Sequence, residues 1–474
     1  MTDRWLYSWA LGSVAFGGAS LLVPLYLVQL GASPVQLGYL AASAALVGAP
    51  GAVLFGRLAN RVDHRRALVL VTLAVVALAL AVVPLVADIT AVIVANAALW
   101  LVVGAVAPVV TMLVVDAAPE SAWSERIGLL NKYQGYGWAG GLVLGTVWPL
   151  VGVRLVGAAS ATRALFWLLA ACAAGSAVGA ARTLPRPASD AHVTSERKVR
   201  RIARLVTTAR LPVRGATFPF SPNRLYWTTR GLDPRRLRGR LDPALATYLV
   251  AATLFFTGFA TFWAPLPLFL TGASFDDGQV FGLYLVSSLA SAVLYERAGA
   301  FAARYDVRAL QSGALAVRGV LFPAVALVGG LGALSLELGA AGVGLAAIGA
   351  TWAVIAVVGT AIVTRLAPST ARGEILGIHT ALGAVAGGIG GVLGGWAASF
   401  GYLVAFAVAG GLVLAGAGLV ASLRVLSGGS RTAESSPGDP VAGPDPVDGP
   451  DPVDGPDPVD DSLPTGTDGE PRRE

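Results

Sequence analysis

Long apolar runs separated by short polar breaks dominate the chain. The runs number twelve, centred on residues 6–29, 36–56, 67–87, 91–115, 127–151, 164–182, 244–270, 279–296, 309–333, 339–364, 375–396 and 402–424. A membrane span needs about 20 mostly apolar residues, and in hydrocarbon the backbone must satisfy its own hydrogen bonds. Runs of this length therefore predict helices, and the whole pattern predicts an all-α membrane protein with twelve transmembrane helices. The first run exceeds a signal-peptide core and eleven more follow, so it is expected as an uncleaved span.

The polar breaks repeat. Gly56-Arg-Leu-Ala-Asn60-Arg61-Val-Asp63-His-Arg65 returns as Gly299-Ala-Phe-Ala-Ala-Arg304-Tyr-Asp306-Val-Arg308. Pro24 to Ser33 parallels Pro265 to Ser274, and Val114 to Gly128 parallels Val363 to Gly377. The three anchors keep their order at offsets of 241, 243 and 249 residues. Duplication predicts two pseudo-symmetric six-helix bundles, residues 1–183 and 242–426, joined by a segment 184–241 and followed by a tail 427–474.

Composition agrees with lipid as the solvent. Only 13% of residues are charged against 55% hydrophobic, and the mean hydropathy is +0.69. Cations concentrate at alternate breaks. Arg57, Arg61, Arg65, Arg66, Arg297, Arg304, Arg308, Arg365 and Arg372 stand at one set, whereas Arg154 and Arg163 share the other set with Asp88, Asp276, Asp277 and Glu337. The positive-inside rule then places both termini and the central segment in the cytoplasm of a multi-pass protein of the cell membrane. Cys172 is the only cysteine, so no intramolecular disulfide and no cysteine-based metal site is expected.

Between Pro185 and Arg240 fourteen basic residues face three acids. A helix there, with Val199, Ile202 and Val206 on one stripe and Arg197, Lys198, Arg200, Arg201 and Arg204 on the other, would lie on anionic lipid. A solvated basic linker accounts for the same charges. No reading motif for nucleic acid accompanies them, so membrane lipid and not nucleic acid is the expected partner. The tail repeats Gly-Pro-Asp-Pro-Val-Asp three times from Gly443 to Asp460, a composition that predicts an extended disordered segment.

With that loop motif after the second run, twelve spans and a long segment between halves, residues 1 to about 426 resemble the major facilitator superfamily of secondary transporters. The family's loop signature is Gly-x-x-x-Asp/Asn-Arg-x-Gly-Arg-Arg/Lys. Gly56, Asn60, Arg61 and Arg65 match it, while Asp63 and His64 depart from it. The resemblance implies a conformational latch built from Gly56, Asn60, Arg61 and Arg65 with Asp116 on the fourth helix, and from Arg304 and Arg308 in the second copy. The fifth run carries Gly128, Gly137, Gly141 and Gly145 at the spacing of the family's antiporters, with Leu142 where that pattern has Pro. The eleventh run repeats the frame with Gly390 and Gly394, and small residues four apart also let helices pack closely in a bilayer.

Ionisable groups within a span are expensive, at about 2.5–3.5 kcal/mol near the helix centre, and each is a functional candidate. Lys132 sits in Asn131-Lys132-Tyr133-Gln134-Gly135-Tyr136-Gly137-Trp138. At 100° per residue Asn131, Gln134 and Trp138 share one stripe, and Lys132 and Tyr136 another. Lys132 either anchors an anionic or carbonyl-bearing group or snorkels to headgroups. Arg318 lies near mid-membrane in the ninth run, where a structural role is expected. His379 in the eleventh run is a candidate proton carrier or a neutral hydrogen-bonded residue. By the resemblance, Asn96, Trp100, Tyr26, Gln29, Thr257, Thr261, Thr351 and Trp352 fall on helices that line a central cavity.

Every Asp or Glu stands at a helix end or in a loop. Buried-carboxylate proton coupling is therefore disfavoured, and no clustered carboxylates, metal set or nucleophile with its base points to an enzyme. No Gly-x4-Gly-Lys-Ser/Thr loop is present, and no cofactor is expected. The expected activity is secondary active or facilitative transport of a small-molecule substrate by a monomer working through alternating access. Efflux of amphipathic compounds, uptake of a metabolite, and a non-transporting sensor or assembly factor with the same fold all stay open.

Overall fold

The computed structural model describes residues 4–59, 65–116, 123–184, 242–328, 333–367 and 372–433. The basic central segment and the Gly-Pro-Asp tail, with the helix and disorder expected there, lie outside the described residues. So do Asn60 and Arg61.

Twelve long helices follow one another. They are α1 (Arg4–Gln29), α2 (Pro34–Ala59), α3 (Arg65–Val82), α4 (Ile89–Asp116), α5 (Trp123–Val156), α6 (Ala158–Thr183), α7 (Pro243–Trp263), α8 (Asp277–Arg304), α9 (Val307–Ala326), α10 (Leu334–Leu366), α11 (Arg372–Ala398) and α12 (Tyr402–Ala433). A short helix, Leu266–Gly272, continues α7 after a break at Pro265. Eleven of these elements are long and apolar enough to cross a membrane, and α2 contributes the apolar stretch Pro34–Val47. The all-α membrane fold of twelve helices in two pseudo-symmetric halves is thus as the sequence predicts.

Several helices run further than their apolar runs, α5 and α6 among them. Helix α5 extends to Val156 and α6 starts at Ala158 instead of 164, because Arg154 and Arg163 are exposed and need no break in the helix to reach water.

The same pairs of helices pack in each half. Helix α1 packs on α5 and α6, and α2 and α3 both pack on α4; correspondingly α7 packs on α11, and α8 and α9 both pack on α10. The two halves meet through α2 with α11 and α5 with α8, which are equivalent pairs under exchange of the halves. Glycine sets the separations. A Cβ on Gly141 would run into the Val14 carbonyl of α1, and one on Gly390 into the Thr257 carbonyl of α7. Gly394 meets the Thr261 carbonyl and Gly137 the Ala10 carbonyl in the same manner, whereas Gly145 faces Phe281 of α8 across the junction of the halves.

Turn chemistry repeats too. Before α2, Ser33 and Gln36 exchange backbone-to-side-chain bonds at 2.8 and 3.4 Å, and before α8, Asp276 and Gln279 do so at 2.8 and 3.0 Å. These are reciprocal capping boxes. The chain enters each through a left-handed residue, Gly31 (φ 81°) or Ser274 (φ 67°). The equivalent positions are thus Gly31 and Ser274, two residues out of step with the pairing of Ser33 and Ser274 that the repeated letters favour.

Candidate functional site

Buried polar side chains collect at two places, one in each half. In the first, α5 contributes Asn131 and Gln134 and α4 contributes Asn96, all buried. Gln134 accepts from Trp9 Nε1 of α1 at 3.3 Å through Oε1, and the Trp100 and Trp138 rings lie 6.4 Å apart between α4 and α5. Asn96 and Trp100 stand one helical turn apart and so share a face of α4. The structure therefore brings Trp9, Gln134, Trp100 and Trp138 to one junction of α1, α4 and α5. Sequence reasoning misses Trp9; its position two turns before Phe16, whose ring it touches edge-on at 5.8 Å, reads only as core.

Lys132 is set apart from this group. It is exposed, with Nζ 5.7 Å from the centre of the exposed Tyr136 ring. Val143, Val147 and Leu150 continue the same exposed stripe toward the far end of α5. A stripe that is apolar along most of its length suits lipid, and a lysine at its start reaches headgroups.

Tyr26 also lies apart. Its hydroxyl donates to the Val86 carbonyl at 2.9 Å in the turn before α4, and its ring meets Phe166 of α6 edge-on at 5.3 Å. Gln29, at the end of the same helix, is exposed. Its Nε2 donates to Asp277 Oδ2 of α8 at 2.7 Å and to Thr162 Oγ1 of α6 at 3.0 Å.

In the second half His379 of α11 stacks on Tyr248 of α7 at 5.9 Å and meets Phe256 edge-on at 5.5 Å. The Tyr248 hydroxyl accepts from Gln311 Nε2 of α9 at 3.0 Å, and both residues are fully buried. Thr257 and Thr261 donate to carbonyls four residues back at 2.8 Å each, so those hydroxyl protons are used within α7. Thr351 likewise donates to the Ile348 carbonyl at 2.9 Å. Arg318 is buried at the centre of an aromatic cluster made by Phe259, Phe322 and Trp352. Gln311 and Arg318 lie seven residues apart on α9, a spacing that puts two polar residues on one face of an apolar helix and is available in the sequence.

Basic residues at the helix ends make a repeated contact. Arg308, at the start of α9, donates from Nη1 to the Leu423 carbonyl of α12 at 2.7 Å, and Arg66, at the start of α3, bonds the Ala181 carbonyl of α6. At Ala181, in the last turn of α6, the cation also meets the negative end of the helix dipole. Of the remaining latch residues, Gly56 lies within α2, Arg65 begins α3 and Asp116 ends α4, while Arg304 is exposed at the end of α8. Among the described residues no group of three or more His, Cys, Asp or Glu is placed to hold a metal.

The sequence profile of the Major Facilitator Superfamily matches residues 6–357. The chain belongs to the major facilitator superfamily. As a member it is a multi-pass membrane transporter and not an enzyme. No curated protein matches the chain by sequence. Among solved structures, the nucleoside transporter NupG is similar over 89% of this chain and 99% of its own, with 13% identity and a TM-score of 0.63. A bacterial homologue of the human lysosomal transporter Spinster, inward-facing and occupied, is similar over 92% and 98%, with 12% identity and a TM-score of 0.60. At such identities the likeness concerns the fold.

Proposed function

We propose that this superfamily member is a secondary or facilitative transporter of the cell membrane, with both termini in the cytoplasm, and that it exports amphipathic small molecules by alternating access. The observation that carries the reading is where the halves touch. Gly38 of α2 lies so close to α11 that an added Cβ would stand 2.6 Å from the Gly391 carbonyl, and Gly278 of α8 meets the Thr146 carbonyl of α5 at 2.9 Å in the same test. These contacts, with the Gln29 to Asp277 bond, fall toward the end of the bundle away from Arg66, Arg304 and Arg308.

Tight glycine contacts at one end of a pair of quasi-rigid halves supply the pivot that a rocking motion needs. The mostly apolar interior, with few polar groups on α1, α4, α5, α7 and α10, supports an amphipathic cargo in preference to a highly polar one. Arginine enrichment at the end carrying both termini supports the assigned orientation.

The test is flux. The full-length protein, reconstituted in liposomes, is offered a broad panel of amphipathic compounds with and without a pH gradient. Saturable movement out of the compartment facing the basic end is expected. Uptake alone would replace export by a permease, and flux no greater than in empty liposomes across the panel would leave a non-transporting protein with a transporter's fold.

A further inference from the structure

Arg318 stands at the twelfth position of the 20-residue helix α9, so its charge is held within the depth of the bundle. Only 2% of its surface is accessible. The guanidinium carbon is 4.2 Å from the centre of the Phe259 ring, 5.5 Å from Phe322 and 5.7 Å from Trp352, and Nη1 donates to the Ile348 carbonyl of α10 at 3.1 Å. That carbonyl already accepts from Thr351 Oγ1. Tyr295 of α8 is buried as well.

These contacts leave two donors over. Arg318 Nε and Trp352 Nε1 are buried with no hydrogen-bond acceptor among the described residues. A guanidinium does not shed its proton in a protein, so the charge cannot be relieved by neutralisation. Ring quadrupoles and one neutral carbonyl stabilise a cation only in part. Unsatisfied buried donors of this kind are rare in native proteins and call for an acceptor. With Nη1 committed to Ile348, Nε keeps an unused donor, and a guanidinium edge that includes Nε matches the two oxygens of a carboxylate.

We propose that Arg318, assisted by Trp352, is the recognition point for the carboxylate of an organic acid whose apolar or aromatic body lies against the Phe259, Phe322 and Trp352 rings. The proposal rests on the transporter reading and names its substrate class. Phe259 and Trp352 belong to α7 and α10, and both are buried against the guanidinium, so arrival of the acid accompanies movement of these two side chains.

Binding is measured without transport, so that the two readings fail separately. Benzoate is titrated against the full-length protein in detergent while thermal unfolding is followed, with benzamide as the neutral isostere. Benzoate should raise the midpoint in a saturable way and benzamide should not. Arg318→Lys, which keeps the charge but loses the fork, should weaken the apparent benzoate affinity at least about tenfold, and Trp352→Phe about three- to tenfold, as expected for lost hydrogen bonds to a charged ligand. Equal responses to benzoate and benzamide, or unchanged affinity in Arg318→Lys, would overturn the proposal. So would an internal ion pair. Glu296, next to Tyr295 in sequence, is the acid to test, and a loss of midpoint in Glu296→Gln equal to that in Arg318→Met, with no further loss in the double variant, would assign the charge balance to the chain itself. Benzoate binding without flux of any acid would instead sink the transporter reading.

Discussion

Gln29 donates to Asp277 at 2.7 Å and thereby ties the last residue of α1 to the first of α8, across the two halves. Thr162 of α6 also accepts from Gln29, so three helices meet in one polar cluster. A structure that alternates must part this contact when the end carrying it opens. Gln29 is exposed and water competes for the bond, which limits its contribution to about 0.5–1.5 kcal/mol. Replacing Asp277 with Ala should therefore move the population toward the state open at this end by roughly two- to tenfold. Spin labels at the exposed positions Tyr39 of α2 and Trp396 of α11, in a Cys172→Ser background, would report it as growth of a longer-distance population. An unchanged distance distribution would show that the glycine contacts alone hold this end.

Those glycine contacts differ among neighbours, and the difference is testable. A methyl group on Gly141 has nowhere to go against the Val14 carbonyl, whereas one on Gly140 would meet only Val14 Cγ2 at 3.5 Å, an ordinary contact. Gly141→Ala should cost about 1–3 kcal/mol through forced separation of α1 and α5. Gly140→Ala should be neutral or slightly stabilising, since alanine is the better helix former. In the second half Gly390→Ala should behave like Gly141→Ala, and Gly411→Ala, with open space around it, like Gly140→Ala. Thermal unfolding of the four variants in one detergent gives the comparison.

The number and order of helices were legible because each span needs an apolar run of its own, and the duplication was legible because polar breaks punctuate both copies alike. Register within the duplication was less so. Gly31 and Ser274 share a left-handed conformation that the letters Gly and Ser do not announce, and it is Arg66 that reaches α6 from the start of α3 as Arg308 reaches α12 from the start of α9. For the candidate site, helical period puts Gln134 and Trp138 on one stripe and Lys132 and Tyr136 on another, and Gln134 is buried while Lys132 and Tyr136 are exposed; which stripe is covered depends on neighbours distant in the chain. Tyr26 reads as a cavity residue on α1, yet α1 is enclosed nearly all round and its hydroxyl turns to the Val86 carbonyl. The depth of Arg318 was readable from its place in the run. Its aromatic surround was not, since Phe259 and Trp352 come from two other helices.

Arg308 and Arg66 predict paired behaviour in the two halves. Each bonds a carbonyl on the last helix of its half, Leu423 within α12 in one and Ala181 in the last turn of α6 in the other. A charged donor on a partly buried carbonyl is worth about 1–2 kcal/mol after allowance for solvent. Arg308→Ala should loosen the contact of α9 with α12 and Arg66→Ala the end of α6, each raising local protease susceptibility by roughly five- to thirtyfold, with Lys at either position restoring part of the protection. If only Arg66→Ala loosens its helix, the repeated geometry does not carry repeated energy.

The last prediction separates two residues only two positions apart on α5. Lys132 is charged and exposed beside Tyr136, on a stripe that continues through Val143, Val147 and Leu150; Gln134 is uncharged, buried and the acceptor for Trp9 Nε1 at 3.3 Å. Intuition from charge alone would give the larger effect to the lysine. Burial argues the reverse, because removing an exposed side chain leaves no unsatisfied group, whereas removing Gln134 strands the indole N–H of a tryptophan that is 3% accessible. Gln134→Ala should cost about 1–3 kcal/mol and lower flux of any transported compound. Lys132→Ala should stay within about 0.5 kcal/mol of the parent and keep its flux. Loss of transport in Lys132→Ala at normal expression and unchanged thermal midpoint would place the lysine in the substrate path and show that its stripe faces the translocation route and not lipid.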